Sequence, residues 1–190
     1  PPDVAGALVA EVVGSGTVLD PACGSGVFLL AAARRLLGNG VADRGSIVRR
    51  YLFGSDVDPA SVEATRRILG AWAGVESDEV SGVVMADPLH DATDPWPGRP
   101  THGFDAVVGN PPFLGQLRSS TAGTGADRAV LRERFGDLVG AYTDVAWLFL
   151  ALGLEVLAPG GRMLLIQPQS LLAARDAGPV RDRLMTAGRL

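Results

Sequence analysis

Lysine is absent from this sequence: all 17 basic residues are arginine. One cation used to the exclusion of the other over a whole chain reads as compositional bias rather than as function. Cysteine is nearly absent too. Cys23 stands alone, which excludes an internal disulfide framework and fits a reducing, cytoplasmic setting. His90 and His102 are the two histidines. Neither has a partner at zinc-ligand spacing, so no metal is expected. Long apolar runs are missing. The longest, 145-VAWLFLALGL-154, is too short to span a bilayer, and Glu155 interrupts its continuation. No charged-then-apolar leader opens the chain. Excess positive charge is also missing. A net charge of −4 argues against a stand-alone nucleic-acid module, though it leaves room for local basic patches.

What is present fits one globular domain over residues 1–190, with 47% hydrophobic and 20% charged residues. The chain begins at Pro1 without methionine and ends at Leu190 inside a helical pattern, so it reads as a piece of a longer protein. Apolar spacing predicts helices over 3–13, 27–38, 60–72, 126–135, 143–157 and from 178 onward. Near-continuous apolar runs predict strands at 17–20, 51–56, 82–87, 104–109 and 162–167. Residues 88–102 and 114–125 read as loops. Strands that alternate with helices and are apolar throughout imply an α/β fold, with a mainly parallel sheet covered by helices on both faces. In such sheets ligands bind beyond the carboxyl ends of the strands, where strand order reverses. Asp20, Asp56, Asp87 and Asn110 all fall at those ends.

Each of these signals has an ordinary reading beside a functional one. The segment 20-DPACGSG-26 is a tight strand-to-helix turn, or a loop whose glycines let a ligand approach the free N–H groups of a helix start. Leu29 stands where a dinucleotide fingerprint would want its third glycine, which disfavours nicotinamide or flavin dinucleotides. Asp56 could cap the next helix, but Asp58 is better placed for that, leaving Asp56 for ribose hydroxyls. Asp87 is a turn acid before Pro88, or an acceptor for an exocyclic adenine amine. In this order the three signals describe an adenosine-bearing cofactor without a pyrophosphate.

The segments 17-TVLDPACGSGVFL-29, 54-GSDVDP-59, 86-AD-87 and 109-GNPPF-113 resemble the consecutive motifs of S-adenosylmethionine-dependent N6-adenine DNA methyltransferases. The resemblance is to the gamma class found in restriction–modification systems. It extends to 1-PPDVAGALV-9, 143-TDVAWLF-149 and 159-PGGRMLLIQPQSLL-172, and so covers nearly the whole chain. It implies a Rossmann-like class I methyltransferase fold with five strands in order 3-2-1-4-5. S-adenosylmethionine is the implied cofactor. Asp20, Ala22, Gly24 and Gly26 would line its methionine end, with Pro1, Pro2 and Asn110 closing around it. Asp56 would hold the ribose and Val57 would pack on the adenine. Asp87, with Pro88 behind it, would accept from the adenine amine. Cys23 would be a packing residue. The implied partner is DNA. The family's last strands and its target-recognition domain are missing before Leu190, so the resemblance implies an incomplete substrate site, with a specificity or nuclease domain, or a partner subunit, supplied elsewhere.

The elbow 110-NPPF-113 has a chemical use in that setting. Adenine's amine is a poor nucleophile because its lone pair is delocalised into the ring. Two acceptors, the Asn110 side-chain oxygen and the Pro111 carbonyl, would draw density onto the nitrogen and stabilise the positive charge that develops there. Pro111 and Pro112 hold the carbonyl still, so little reorganisation accompanies reaction. A base inside a duplex must be rotated out to reach this site, and the Phe113 ring would stabilise it by roughly 1–3 kcal/mol of stacking. Arg118, Arg128, Arg132 and Arg134 are candidates for phosphate contacts, or form a solvated helix face. Two other readings stand beside this one. The same N-P-P-aromatic chemistry serves enzymes that methylate protein glutamine or ribosomal RNA. The chain could also be a non-catalytic cofactor- and DNA-binding module of a defence complex.

Overall fold

A computed structural model of the chain describes residues 2–91, 94–113, 125–140 and 143–188. Its sheet has five strands: β1 (Val18–Asp20), β2 (Leu52–Asp56), β3 (Val83–Met85), β4 (Phe104–Gly109) and β5 (Leu157–Leu165). They lie in the order β3-β2-β1-β4-β5, and every pairing is parallel. The expected order is the observed one. Strand order reverses between β1 and β4, the place where this kind of sheet opens a crevice.

Among the described residues, eight α-helices accompany the sheet: α1 (Pro2–Val12), α2 (Val27–Gly38), α3 (Arg44–Arg50), α4 (Pro59–Ala73), α5 (Gly125–Phe135), α6 (Val145–Val156), α7 (Ser170–Ala173) and α8 (Gly178–Ala187). Alternation along the strands divides the core in two. Val18, Leu52, Ala106 and Val108 face a layer built on α1, α2, α3 and α4. Leu19, Phe53, Phe104 and Val107 face the opposite layer, built on α5, α6 and α8. α6 is buried along nearly its whole circumference, as its all-round apolar sequence implies. Asp144 caps it by accepting from the Ala146 N–H at 3.0 Å.

Three differences from the sequence reading have local causes. α3 was not expected; it starts at Asp43, whose carboxylate accepts from the Ser46 N–H and hydroxyl. β5 begins at Leu157 rather than at 162. Its ladder to β4 jumps from Phe104↔Leu157 to Ala106↔Arg162, so Pro159-Gly160-Gly161 bulge out of a strand that has already begun. β3 ends at Met85, so Asp87 lies two residues beyond its strand. The described part of the segment 88–102 is irregular as expected, but it is anchored, while the expected loop at 114–124 lies outside the described residues. Trp96 is buried and meets the Phe104 ring edge-on at 5.7 Å.

Candidate active site at the carboxyl edge of the sheet

Asp20 and Asp56 are the last residues of β1 and β2; Asn110 directly follows β4; Asp87 follows β3. Because β3, β2, β1 and β4 are neighbours in that order, these four polar residues form a row along one edge of the sheet. Three inter-strand spacings separate its ends, roughly 14 Å. A nucleoside carrying an amino-acid tail is a ligand of that extent.

The loop 21–26 is strapped to β2 and α4. The Cys23 N–H donates to the Ser55 carbonyl at 2.9 Å, and the Ser55 hydroxyl to the Pro21 carbonyl at 3.0 Å. The Gly24 N–H donates to Asp56 Oδ2 at 2.9 Å, and the Thr65 hydroxyl to the Gly24 carbonyl at 2.8 Å. Ser55 and Thr65 are fully buried. Gly24 and Gly26 both have positive φ, and a Cβ at Gly26 would come within 2.9 Å of Thr65. A Cβ at Gly24 would meet nothing, so the loop presents open space there. Behind it α2 starts at Val27 with no side-chain cap on its N–H groups. Cys23 is buried, and that burial pushes its thiol up to about 12, consistent with packing and not with nucleophilic use.

Asp56 does two jobs within the protein. Its Oδ2 holds Gly24, and its Oδ1 accepts from the Asp58 N–H at 2.9 Å. Asp58 is the helix cap, accepting from the N–H groups of Ala60 and Ser61. Val57, between them, is 65% exposed, an apolar side chain left open beside the row. Asp87 turns back on its own loop: Oδ1 accepts from the N–H groups of Leu89 and His90, and Oδ2 lies 2.8 Å from His90 Nδ1. Its turn role is therefore real, and oxygen lone pairs remain on the carboxylate. Pro88 and Leu89 behind it are buried.

Asp20 is 1% exposed and, among the described residues, accepts only the Ala22 N–H, at 3.1 Å. Burial raises its pKa to about 7, against the lowering effect of that hydrogen bond and with a further push from the Asp56 charge. Gly109 brings β4 against this carboxylate. At φ 154° it has no side chain, and a Cβ there would lie 2.6 Å from Asp20 Oδ1. Asn110 thus begins immediately beside Asp20. Its side chain is exposed and makes no hydrogen bond among the described residues, whereas Pro111 is buried and Pro112 and Phe113 are half-buried.

The remaining expected residues divide. Ala22 is half-buried against the α6 layer, and Pro2 opens α1. Pro1 and Arg118 lie outside the described residues. Arg134 is engaged within the protein. One of its amino groups donates to the carbonyls of Pro88, Leu89 and Asp91 at 2.5, 3.1 and 3.2 Å, and it pairs with Glu155. Arg132 donates to the Val139 carbonyl. Sequence reasoning missed Ser55, Thr65 and the spacing role of Gly109. Ser55 and Thr65 resemble any hydroxyl residue in sequence, while Gly109 carried a legible signal as a glycine at a strand end beside Asn110.

A sequence model described as N-6 DNA methylase matches residues 2–190. The chain is 27% identical over 176 residues to the type II restriction enzyme and methyltransferase RM.BcgI of Heyndrickxia coagulans, covering 89% of this chain and 23% of that protein. It is 30% identical over 181 residues to the type II methyltransferase M.XhoI of Xanthomonas vasicola, covering 86% of this chain and 30% of that protein. The chain therefore spans less than a third of either relative. Among solved structures, a cryo-EM structure of a DrdV–DNA complex superposes with a TM-score of 0.72 at 14% identity, over 98% of this chain and 22% of that one. At that identity the likeness concerns the fold alone.

Proposed function

From the membership of this chain in the N-6 DNA methylase family, we propose that it is the catalytic domain, residues 1–190, of a larger enzyme that methylates the N6 amine of a flipped-out adenine in DNA in a restriction–modification or phage-defence setting. The observation that carries the proposal is the row Asp87, Asp56, Asp20, Asn110, with Asn110 making no hydrogen bond among the described residues and following Gly109, which lies against Asp20. The cofactor it fits is S-adenosylmethionine, which when bound supplies an electrophilic methyl group on a sulfonium centre. The fit rests on three features: the open space over Gly24, the uncapped start of α2, and the buried carboxylate of Asp20, which gains from a cationic neighbour.

The residues divide the work. Asp56 holds the ribose with the lone pairs its two backbone contacts leave free, Val57 covers the adenine ring, and Asp87 with Pro88 orients its amine. Asp20, Ala22, Gly24 and Gly26 shape the methionine end, and Pro2 in α1 belongs to the segment that closes over it. At the target base, Asn110 Oδ1 and the Pro111 carbonyl each accept one N6 hydrogen and draw density onto the nitrogen. The buried ring of Pro111 keeps that carbonyl from reorganising. Phe113 stacks on the base. The ammonium formed at N6 is strongly acidic, so its proton leaves to solvent without a dedicated base.

The same N-P-P-F chemistry on glutamine or RNA is not favoured, because the family match and both relatives are DNA enzymes. The larger enzyme would supply the target-recognition domain and any nuclease or partner subunit. Calorimetric titration with S-adenosylmethionine should give saturable binding, weakened at least tenfold by Asp56→Ala. In the full-length enzyme, Asn110→Ala should abolish transfer to unmethylated phage lambda DNA while leaving cofactor affinity within about twofold. Transfer surviving Asn110→Ala would remove that residue from catalysis.

A further inference from the structure

We infer that Gln167 reads the ring edge of the target base, an assignment that rests on the function proposed above. Among the described residues Gln167 is the one side chain with a buried donor and a buried acceptor that both lack a partner. A buried amide in that state is costly, and it calls for a hydrogen-bonding partner. Its location says what. Gly109 of β4 pairs with Leu165 of β5, and the Ile166 N–H donates to the Gly109 carbonyl at 3.0 Å. Continuing that register two places sets Gln167 level with Pro111, at the carboxyl edge of the strand beside the N-P-P-F elbow.

The face is also determined. Met163 and Leu165 pack into the α6 layer, and alternation puts Gln167 on the same side. α6 runs back along this face, with its Gly153 against Met163. Its first turn, carrying Trp147, therefore lies toward the strand ends. Trp147 Nε1 is buried and unpartnered as well. Unsatisfied polar atoms thus gather at one end of one layer, next to the exposed side chain of Asn110.

An amide matches adenine there. Asn110 and Pro111 account for the N6 hydrogens. The ring nitrogens flanking that amine, N1 and N7, are acceptors without a partner among the assigned residues. Gln167 Nε2 donates to one of them, the donor half of the pattern by which glutamine distinguishes adenine. The contact fixes the base in its plane while Phe113 holds its face.

The test is a coupling measurement. The full-length enzyme is first used on unmethylated lambda DNA, and the methylated adenines are mapped by sequencing. Duplexes are then made with adenine, 7-deazaadenine or 1-deazaadenine at the target. Gln167→Met should lower kcat/KM on the adenine duplex about tenfold or more and raise Tm, because an apolar side chain of similar length replaces two unsatisfied polar atoms. S-adenosylmethionine affinity should stay within about twofold. One of the deaza bases should lower the wild-type rate by a similar factor and the Gln167→Met rate no further. Gln167→Leu should behave alike. Losses that multiply for both deaza bases, a rate within twofold of wild type, or a fall in Tm with a parallel fall in cofactor affinity would each overturn the inference. If the wild-type enzyme methylates no adenine in lambda DNA yet binds the cofactor, the DNA function itself is wrong and the role of Gln167 falls with it.

Discussion

At the scale of single residues, the most unusual group is Asp20. Its folded pKa, about 7, lies above the ordinary carboxylate value of 3.8. The folded state therefore holds a proton that the unfolded chain gives up. The resulting stabilisation is complete below about pH 4 and is lost as pH rises through about 7. Asp20→Asn, which does not titrate, should gain on the wild type over that interval by a few kcal/mol, on the order of 4, in urea unfolding at stepped pH. S-adenosylmethionine affinity should strengthen over the same interval and then level off, because a cationic ligand favours the ionised carboxylate. A flat profile in both would show that Asp20 is ionised throughout. Gly109 is the companion case. Gly109→Ala forces a side chain onto Asp20 Oδ1 at a φ that L residues rarely adopt. We expect it to reduce methyl transfer at least a hundredfold, with a lowered Tm; near-normal transfer would mean that Asp20 and Asn110 need not be so close.

At the scale of elements, the connection between α5 and the loop after β3 matters most. Arg134 near the end of α5 gathers three carbonyls from 88–91 and pairs with Glu155 of α6. A helix that follows the N-P-P-F elbow in sequence thereby holds the loop carrying Asp87 and Pro88. Arg134→Met keeps the stem packed beside Phe135 but leaves those carbonyls without their donor. Cofactor affinity should fall several-fold by calorimetry, with little change in overall helix content by circular dichroism. Unaltered affinity would reduce Arg134 to a surface brace. The bulge in β5 is the other lesson of this scale. Pro159-Gly160-Gly161 announces a turn in sequence, yet Leu157 has already joined Phe104 in the sheet. Turn residues signal that the backbone bends without saying on which side of the bend pairing starts.

For the whole molecule, a parallel sheet with both faces covered leaves its carboxyl edge as the place where polar side chains from separate strands converge. A ligand lying along that edge touches β3, β2, β1 and β4 at once, so its binding free energy should appear as global stability. At a hundredfold excess of S-adenosylmethionine over its Kd, unfolding should cost about 2.7 kcal/mol more than without it, and Asp56→Ala at the same concentration should lose about half of that gain or more. No thermal shift at saturating cofactor would contradict the assignment of this edge.

The sequence alone determined the alternation of apolar strands and amphipathic helices, hence the parallel sheet. It also determined the order of the polar residues at strand ends, because burial on both faces leaves only that kind of pattern. Asp58 as a helix cap and α6 as a buried helix were legible for the same local reasons. Tertiary structure decided what depends on distance across the sheet: that Ser55, Thr65 and Asp56 strap the glycine loop, that Gly109 lies against Asp20, that Arg134 donates to the carbonyls of the loop after β3, and that the Gln167 amide is buried without a partner among the described residues. Local propensity is written in neighbouring residues. Whether a hydroxyl, a guanidinium or an amide finds a partner depends on residues tens of positions away, which only the packed sheet brings together.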